Sequence, residues 1–292
     1  VEPYLATILL AGRSLAAGGR TQLVSDIIEG ETHGALAALE RQSRQNFYDV
    51  ATQAKSTDGG YVLNGSKALV LNGPAADVLI VTARTSGTNL DREGVSLFEL
   101  PADSNGVTRQ SIRLMDGSRA ANLVLDHVEV GADRLIGDVD RAFEVLDPVI
   151  AEATIGVCAE AVGIIDALCA KTIEYARTRN QFGVAIGSFQ ALQHRMVDML
   201  MAKEQARSML YRGVCEYQQA DPAYRETLAA MKAVVGRHGR HVGEEAIQLH
   251  GGMGMTDELD IGHYVKRLMV LNQLFGDIDA SLDTFAGTRY AA

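Results

Sequence analysis

Cysteine is scarce, long apolar runs are missing and basic residues are outnumbered, and each shortage narrows what this 292-residue chain can be. The three cysteines, Cys158, Cys169 and Cys215, fall on predicted helices without metal-type pairing. An odd number cannot all be bridged within one chain, so a reducing, cytoplasmic compartment is expected. The longest apolar run, VLIVTA from Val78, is bracketed by Asp77 and Arg84 as a strand is, so neither a membrane span nor a signal peptide is expected. Lys and Arg number 27 against 37 Asp and Glu, a formal net charge of −10 that argues against nucleic-acid binding, which needs a basic face to displace counterions. No internal repeat, low-complexity tract or polar linker is visible.

What is present is apolar and patterned. At 47% hydrophobic and 22% charged residues, the chain can bury a sizeable core, and its length suits two domains. It opens at Val1 inside a helical pattern of Leu5, Ile8, Leu9 and Leu15, so a preceding segment is expected. From about Glu31 the texture becomes short apolar or alternating runs, Tyr61–Leu63, Ala68–Leu71, Val78–Ala83, Val95–Leu100 and Leu123–Val130. Turns at Asp58-Gly59-Gly60, Asn72-Gly73 and Asn105-Gly106 separate several of them, which predicts a compact antiparallel β domain over 31–136. From there the pattern is helical over 140–178, 188–219, 223–249 and about 257–289, with breaks at Asp221-Pro222 and Gly251-Gly252. Four such helices predict an up-and-down bundle over 137–292. The fold class expected is therefore α+β, a β domain followed by a four-helix bundle, with a cofactor at their seam.

Chemistry concentrates where two of those helices meet. Arg179-Asn180-Gln181-Phe182-Gly183 and then Ser188-Phe189-Gln190 set a guanidinium, aromatic rings and amides within a few residues, groups suited to a diphosphate and a purine. Arg179 could equally cap its helix through the macrodipole. A second candidate is Gln248 with the Gly251-Gly252 pair, which can end a helix or expose backbone N–H groups to a phosphate or ribose. It follows a helix, so it is no dinucleotide fingerprint of the strand-to-helix kind. His238, His241, His250 and His263 lack a carboxylate or cysteine frame for zinc, so no metal is expected.

RNQFG followed by SFQALQHRMVDM, then QLHGGMGM with Lys266-Arg267, and GYVLNGSKALVLNG at 60–73 together resemble the acyl-CoA dehydrogenase family of flavoproteins over nearly the whole chain. The resemblance implies that residues 1–30 are the end of an N-terminal helical domain. It also implies FAD, an acyl-CoA substrate, and an electron-transferring flavoprotein as acceptor. Residues matching Arg179, Gln181, Phe182, Gln190, Gln248, Gly251 and Gly252 hold the adenosine and pyrophosphate of a neighbouring subunit's FAD, so an oligomer, expected to be a tetramer, follows.

The same resemblance exposes losses. Dehydrogenation of an acyl thioester needs a carboxylate for the α-proton, hydrogen bonds on the thioester oxygen and a flavin for the β-hydride. The family's usual glutamate base falls on Gly276. The minority position on the first bundle helix falls on Ala153, leaving neighbouring Glu152 as the candidate base, with a solvated helix-face role equally open for it and with Asp277 and Asp279 as weaker candidates. The family's Thr-Glu-Pro and Gly-Ser-Asp loop is replaced by Leu39–Asn46, and its Trp-x-Thr by Leu69-Val70-Leu71. This pattern is similar to the small, non-catalytic subunits of two-component members acting on pimeloyl-CoA or steroid side-chain CoA esters. A homologous catalytic partner is therefore expected. A self-sufficient homotetramer using Glu152 and a flavin-free structural homologue remain as alternatives.

Overall fold

The computed structural model describes residues 3–290, arranged as two compact units that divide between Ala153 and Thr154. The first unit opens with a π-helical segment, Tyr4–Gly12, running into α1 (Arg13–Ala17) and α2 (Thr21–Glu29). Eight strands follow: β1 (Gly34–Ala37), β2 (Gln53–Thr57), β3 (Gly60–Leu71), β4 (Val78–Arg84), β5 (Val95–Pro101), β6 (Val107–Arg113), β7 (Arg119–Gly131) and β8 (Leu135–Ile136). They form one sheet in the order β6-β7-β3-β2-β4-β5-β8, with β1 beside β4.

Most pairings are antiparallel, as expected. The exceptions are β1 with β4, and a single residue pair, Gln53 opposite Arg84, that joins β2 to β4. The run of consecutive apolar residues in β4 explains its central place, since only a strand covered on both faces can bury neighbours that point opposite ways. From Leu79 to Arg84 every residue is buried. Leu63, Val70, Leu79, Val81, Phe98 and Leu123 meet in the core of this sheet.

A buried ion pair lies at the centre of the unit. Lys67, 1% exposed, donates from Nζ to Glu40 Oε1 at 2.7 Å and to Thr82 Oγ1 at 2.9 Å. The Glu40 carboxylate also accepts the backbone N–H groups of Ala51 (2.9 Å) and Thr52 (3.0 Å) and Gln42 Nε2 (2.8 Å). Burial opposes its charge, but Lys67 and these donors overcome that and hold its pKa at about 2, while burial pushes Lys67 down to about 8. The loop after Leu39, read from sequence for what it lost, is thus anchored by what it kept. Nearby, the Arg84 guanidinium donates to the carbonyls of Val50, Tyr48, Asn89, Asp91 and Glu93, which folds the chain on either side of β4 around one cation.

The chain continues as α3 (Ala142–Thr178), α4 (Gln190–Gln218), α5 (Tyr224–His250), α6 (Ile261–Gln273) and α7 (Ile278–Tyr290). An 18-residue window of α3 reaches a mean hydropathy of 1.7 with half of it buried, so a core helix reaches span-like hydropathy without any single long apolar run. The last predicted helix is two. It breaks after α6, where Phe275 and Gly276 take φ values of 58° and 106°. Lys232 of α5, 3% exposed, donates to the carbonyls of Leu271 (3.2 Å) and Asn272 (2.9 Å), placing an ammonium on the negative end of α6. Burial pushes that ammonium below its ordinary pKa.

Removing one member of the Glu40–Lys67 pair leaves the other charged and buried, so Lys67→Met should cost about 3 kcal/mol at pH 7. Because Glu40 titrates at about 2 when folded and near 4.5 otherwise, its contribution is complete above pH 4.5 and is lost as the pH falls toward 2. Denaturant titrations of both forms should therefore show the deficit of Lys67→Met shrinking below pH 4.5.

Candidate cofactor site

The end of α3 sets the site. Its last turn closes with the Arg179 N–H donating to the Tyr175 carbonyl at 2.8 Å. The chain then reverses in a two-residue hairpin, β9 (Asn180–Gln181) against β10 (Val184–Ala185). Its tip, Phe182 and Gly183, has φ values of 54° and 81°. Positive φ at both central residues matches the twist of such hairpins, but a bulky side chain there costs about 1 kcal/mol.

That cost is set on a ring with little to hold it. Phe182 is 91% exposed, and its one aromatic neighbour is Phe189, edge-on at 6.1 Å. An exposed, strained aromatic is the mark of a surface that meets something else. Beside it, Arg179 and Gln190 are exposed and make no side-chain hydrogen bond or ion pair among the described residues, while Gln181 donates from Nε2 to the neighbouring Asn180 carbonyl at 2.9 Å.

The end of α5 supplies the second piece. Gln248 is exposed, and the chain leaves the helix through Gly251 at φ 61° into a short 3-10 turn, Gly251–Met255. A Cβ built on Gly251 or Gly252 would meet nothing within 4 Å, so the backbone of this turn lies open to close approach. The Tyr175 hydroxyl, one turn before Arg179, donates to the His250 carbonyl at 3.4 Å. The α3 turn before the hairpin is thus joined to the residue before Gly251, and the seven residues chosen from sequence for cofactor binding fall on or beside the hairpin and the turn.

The candidates for proton abstraction are placed differently. Both Glu152 oxygens are held by Arg13, with Nε donating to Oε2 at 2.6 Å and Nη2 to Oε1 at 2.5 Å. A carboxylate in such a fork must give up its guanidinium to take a proton, which makes it a poor base. Asp277 Oδ1 accepts the Ala280 N–H at 2.9 Å and so caps α7, and Asp279 is exposed on that helix. Gly276 is buried with φ 106°, a backbone that a glutamate rarely adopts.

The fit to FAD is therefore unequal. The hairpin and turn offer cationic, aromatic and amide groups open to solvent, as an adenosine diphosphate half requires. Leu39, Leu69 and Leu71, which the resemblance would set at the ring half, have no side-chain hydrogen-bonding groups, and Leu69 sits in a bulge at φ 53° with its N–H donated to Asn122 Oδ1 at 3.2 Å. Among the described residues no group of three or more His, Cys, Asp or Glu is placed to hold a metal.

Two family descriptions match the chain, "Acyl-CoA dehydrogenase, middle domain" over residues 35–128 and "Acyl-CoA dehydrogenase, C-terminal domain" over residues 143–287. The short-chain specific acyl-CoA dehydrogenase of Megasphaera elsdenii is 31% identical over 244 residues, 82% of this chain and 63% of that protein. The chain thus spans less than two thirds of that relative's length. The structure of butyryl-CoA dehydrogenase from Megasphaera elsdenii has a TM-score of 0.90 at 28% identity, covering 98% of this chain and 76% of the other. A structure of PigA with FAD and proline has a TM-score of 0.90 at 26% identity, with 98% and 76% covered.

Since Glu152 and Arg13 are partly exposed, their coupling should be modest, about 0.5–1 kcal/mol. Denaturation of Glu152→Gln, Arg13→Ala and the double variant should show that the second substitution adds almost nothing to the first.

Proposed function

The chain belongs to the acyl-CoA dehydrogenase family, and from that premise we propose that it is the non-catalytic small subunit of a hetero-oligomeric, FAD-dependent acyl-CoA dehydrogenase. One observation carries the reading: the groups suited to adenosine and pyrophosphate stand exposed, whereas Glu152 is held by Arg13, Asp277 caps α7 and Asp279 lies exposed on that helix. Loss confined to one half of a site fits a chain that completes a neighbour's cofactor pocket.

In this reading Arg179 pairs with the pyrophosphate, Phe182 lies on the purine, and Gln181, Gln190 and Gln248 bond its edges and the ribose. The open backbone at Gly251 and Gly252 lets the dinucleotide approach closely. FAD, when bound, supplies a hydride acceptor for the β-carbon of an acyl thioester. The homologous partner supplies the ring pocket, the base and the thioester hydrogen bonds, and an electron-transferring flavoprotein takes the electrons onward. Residues 1–30 are the end of an N-terminal helical domain, 31–136 the middle domain and 137–292 the bundle of a tetramer with two chain types. A self-sufficient enzyme would need Glu152 to leave Arg13 at each turnover, and no observation favours it.

Arg179→Ala and Phe182→Ala, each expressed in the native host, test the assignment. Each should weaken FAD retention in the purified assembly by about tenfold while leaving turnover per bound flavin unchanged. Full retention in both variants, or a wild-type assembly with no flavin, would sink the reading.

A further inference from the structure

The hairpin and the turn that face the dinucleotide in the reading above reach one another through residues 75 apart in sequence. Each is a connection between two helices, the hairpin from α3 to α4 and the turn from α5 to α6, so their register depends on what joins the two connections. Tyr175 lies one turn before Arg179, and its ring stacks on the His250 imidazole with centroids 4.3 Å apart and planes at 27°. Its hydroxyl donates to the His250 carbonyl, the group immediately before Gly251.

The partner ring is fixed in turn. His250 is 5% exposed, and its Nδ1 lies 2.8 Å from the Ala246 carbonyl, which makes Nδ1 the donor and fixes the ring plane. One turn earlier on α3, Lys171 pairs with Asp260 at 2.9 Å, just before α6. The end of α3 is thus joined at two successive turns to the segment leading from α5 into α6, with the aromatic stack as the join nearer the hairpin.

We infer that Tyr175 and His250 are positioning residues that set the distance between the Arg179–Phe182 hairpin and the Gln248–Gly252 turn, so that one ADP moiety meets both. The inference rests on the proposed function. Neither residue touches the ligand in this account. With the Lys171–Asp260 pair and the Arg195–Glu245 pair between α4 and α5 behind them, they keep the two short connections in the single arrangement that a bridging ligand needs, which spares the binding step that ordering cost. Phe182 is 91% exposed with Phe189 edge-on to it, and the Gly251 N–H bonds back only to its own helix, at the Ile247 and Gln248 carbonyls, so neither piece reaches across to order the other.

The test uses the flavin-containing assembly from the native host, with FAD affinity, turnover per bound flavin and melting temperature measured together. Tyr175→Leu and His250→Leu remove the stack and should weaken FAD by about fivefold, with turnover per bound flavin unchanged. Tyr175→Phe and His250→Phe keep two stacked rings and should stay within about twofold of wild type. Leu variants that bind FAD as wild type does would overturn the inference. So would Phe variants weakened as much as the Leu variants, since the hydroxyl and imidazole hydrogen bonds rather than the stack would then be at work. Should His250→Leu not fold, the half-buried Tyr175 still yields both comparisons. Arg179→Ala run alongside separates the two claims: if it too leaves FAD affinity unchanged, the proposed function fails and not merely the positioning.

Discussion

Where α6 stops governs the functional character of the bundle, and one buried ammonium fixes that point. Lys232 donates to the last carbonyls of α6, so the helix cannot run on into Leu274, which leaves it in extended conformation. The chain must then turn within Phe275 and Gly276, both at positive φ, before Asp277 caps α7. A catalytic carboxylate at this junction would have to hang from a backbone that suits glycine. The junction serves to reverse the chain.

The opposite logic applies where α3 ends. There the fold keeps an aromatic in a costly backbone conformation and in water, near Arg179 and Gln190, whose side chains make no hydrogen bond or ion pair among the described residues. Packing gives no return for this arrangement. A ligand that brings anionic and planar groups would supply it, which is why the two ends, one satisfied and one waiting, support a chain that lends half a pocket to a partner.

How much of this could be read from the sequence depended on the range of the interaction. The β domain and the first three bundle helices were legible because apolar spacing is local: Leu192, Met196 and Leu200 mark α4 as surely as the VLIVTA run marks β4. The split of the last helix was not, since apolar residues continue through Leu271, Leu274 and Ile278 and no proline signals the break. The parallel pairing of β1 with β4 depends on contacts 44 residues apart, as in Gly34 opposite Val78, which no turn chemistry announces. The seven candidate cofactor residues could be named together because they cluster in two motifs. What holds those motifs together was not, because Tyr175 and His250 meet only in the fold, as do Arg13 and Glu152. Lys67 in the GSKALVLNG strand was the overlooked signal: a lysine at an inward-facing strand position calls for a buried partner, and Glu40 is that partner.

The central claim concerns who supplies the chemistry, and a native mass spectrum of the protein purified from its own host addresses it most directly by counting chains and flavins together. Two copies of this chain with two of a larger homologue, carrying one FAD for each unlike pair, is the predicted result. Four copies of this chain alone, each with its own FAD, would contradict it and return the search for a base to Glu152.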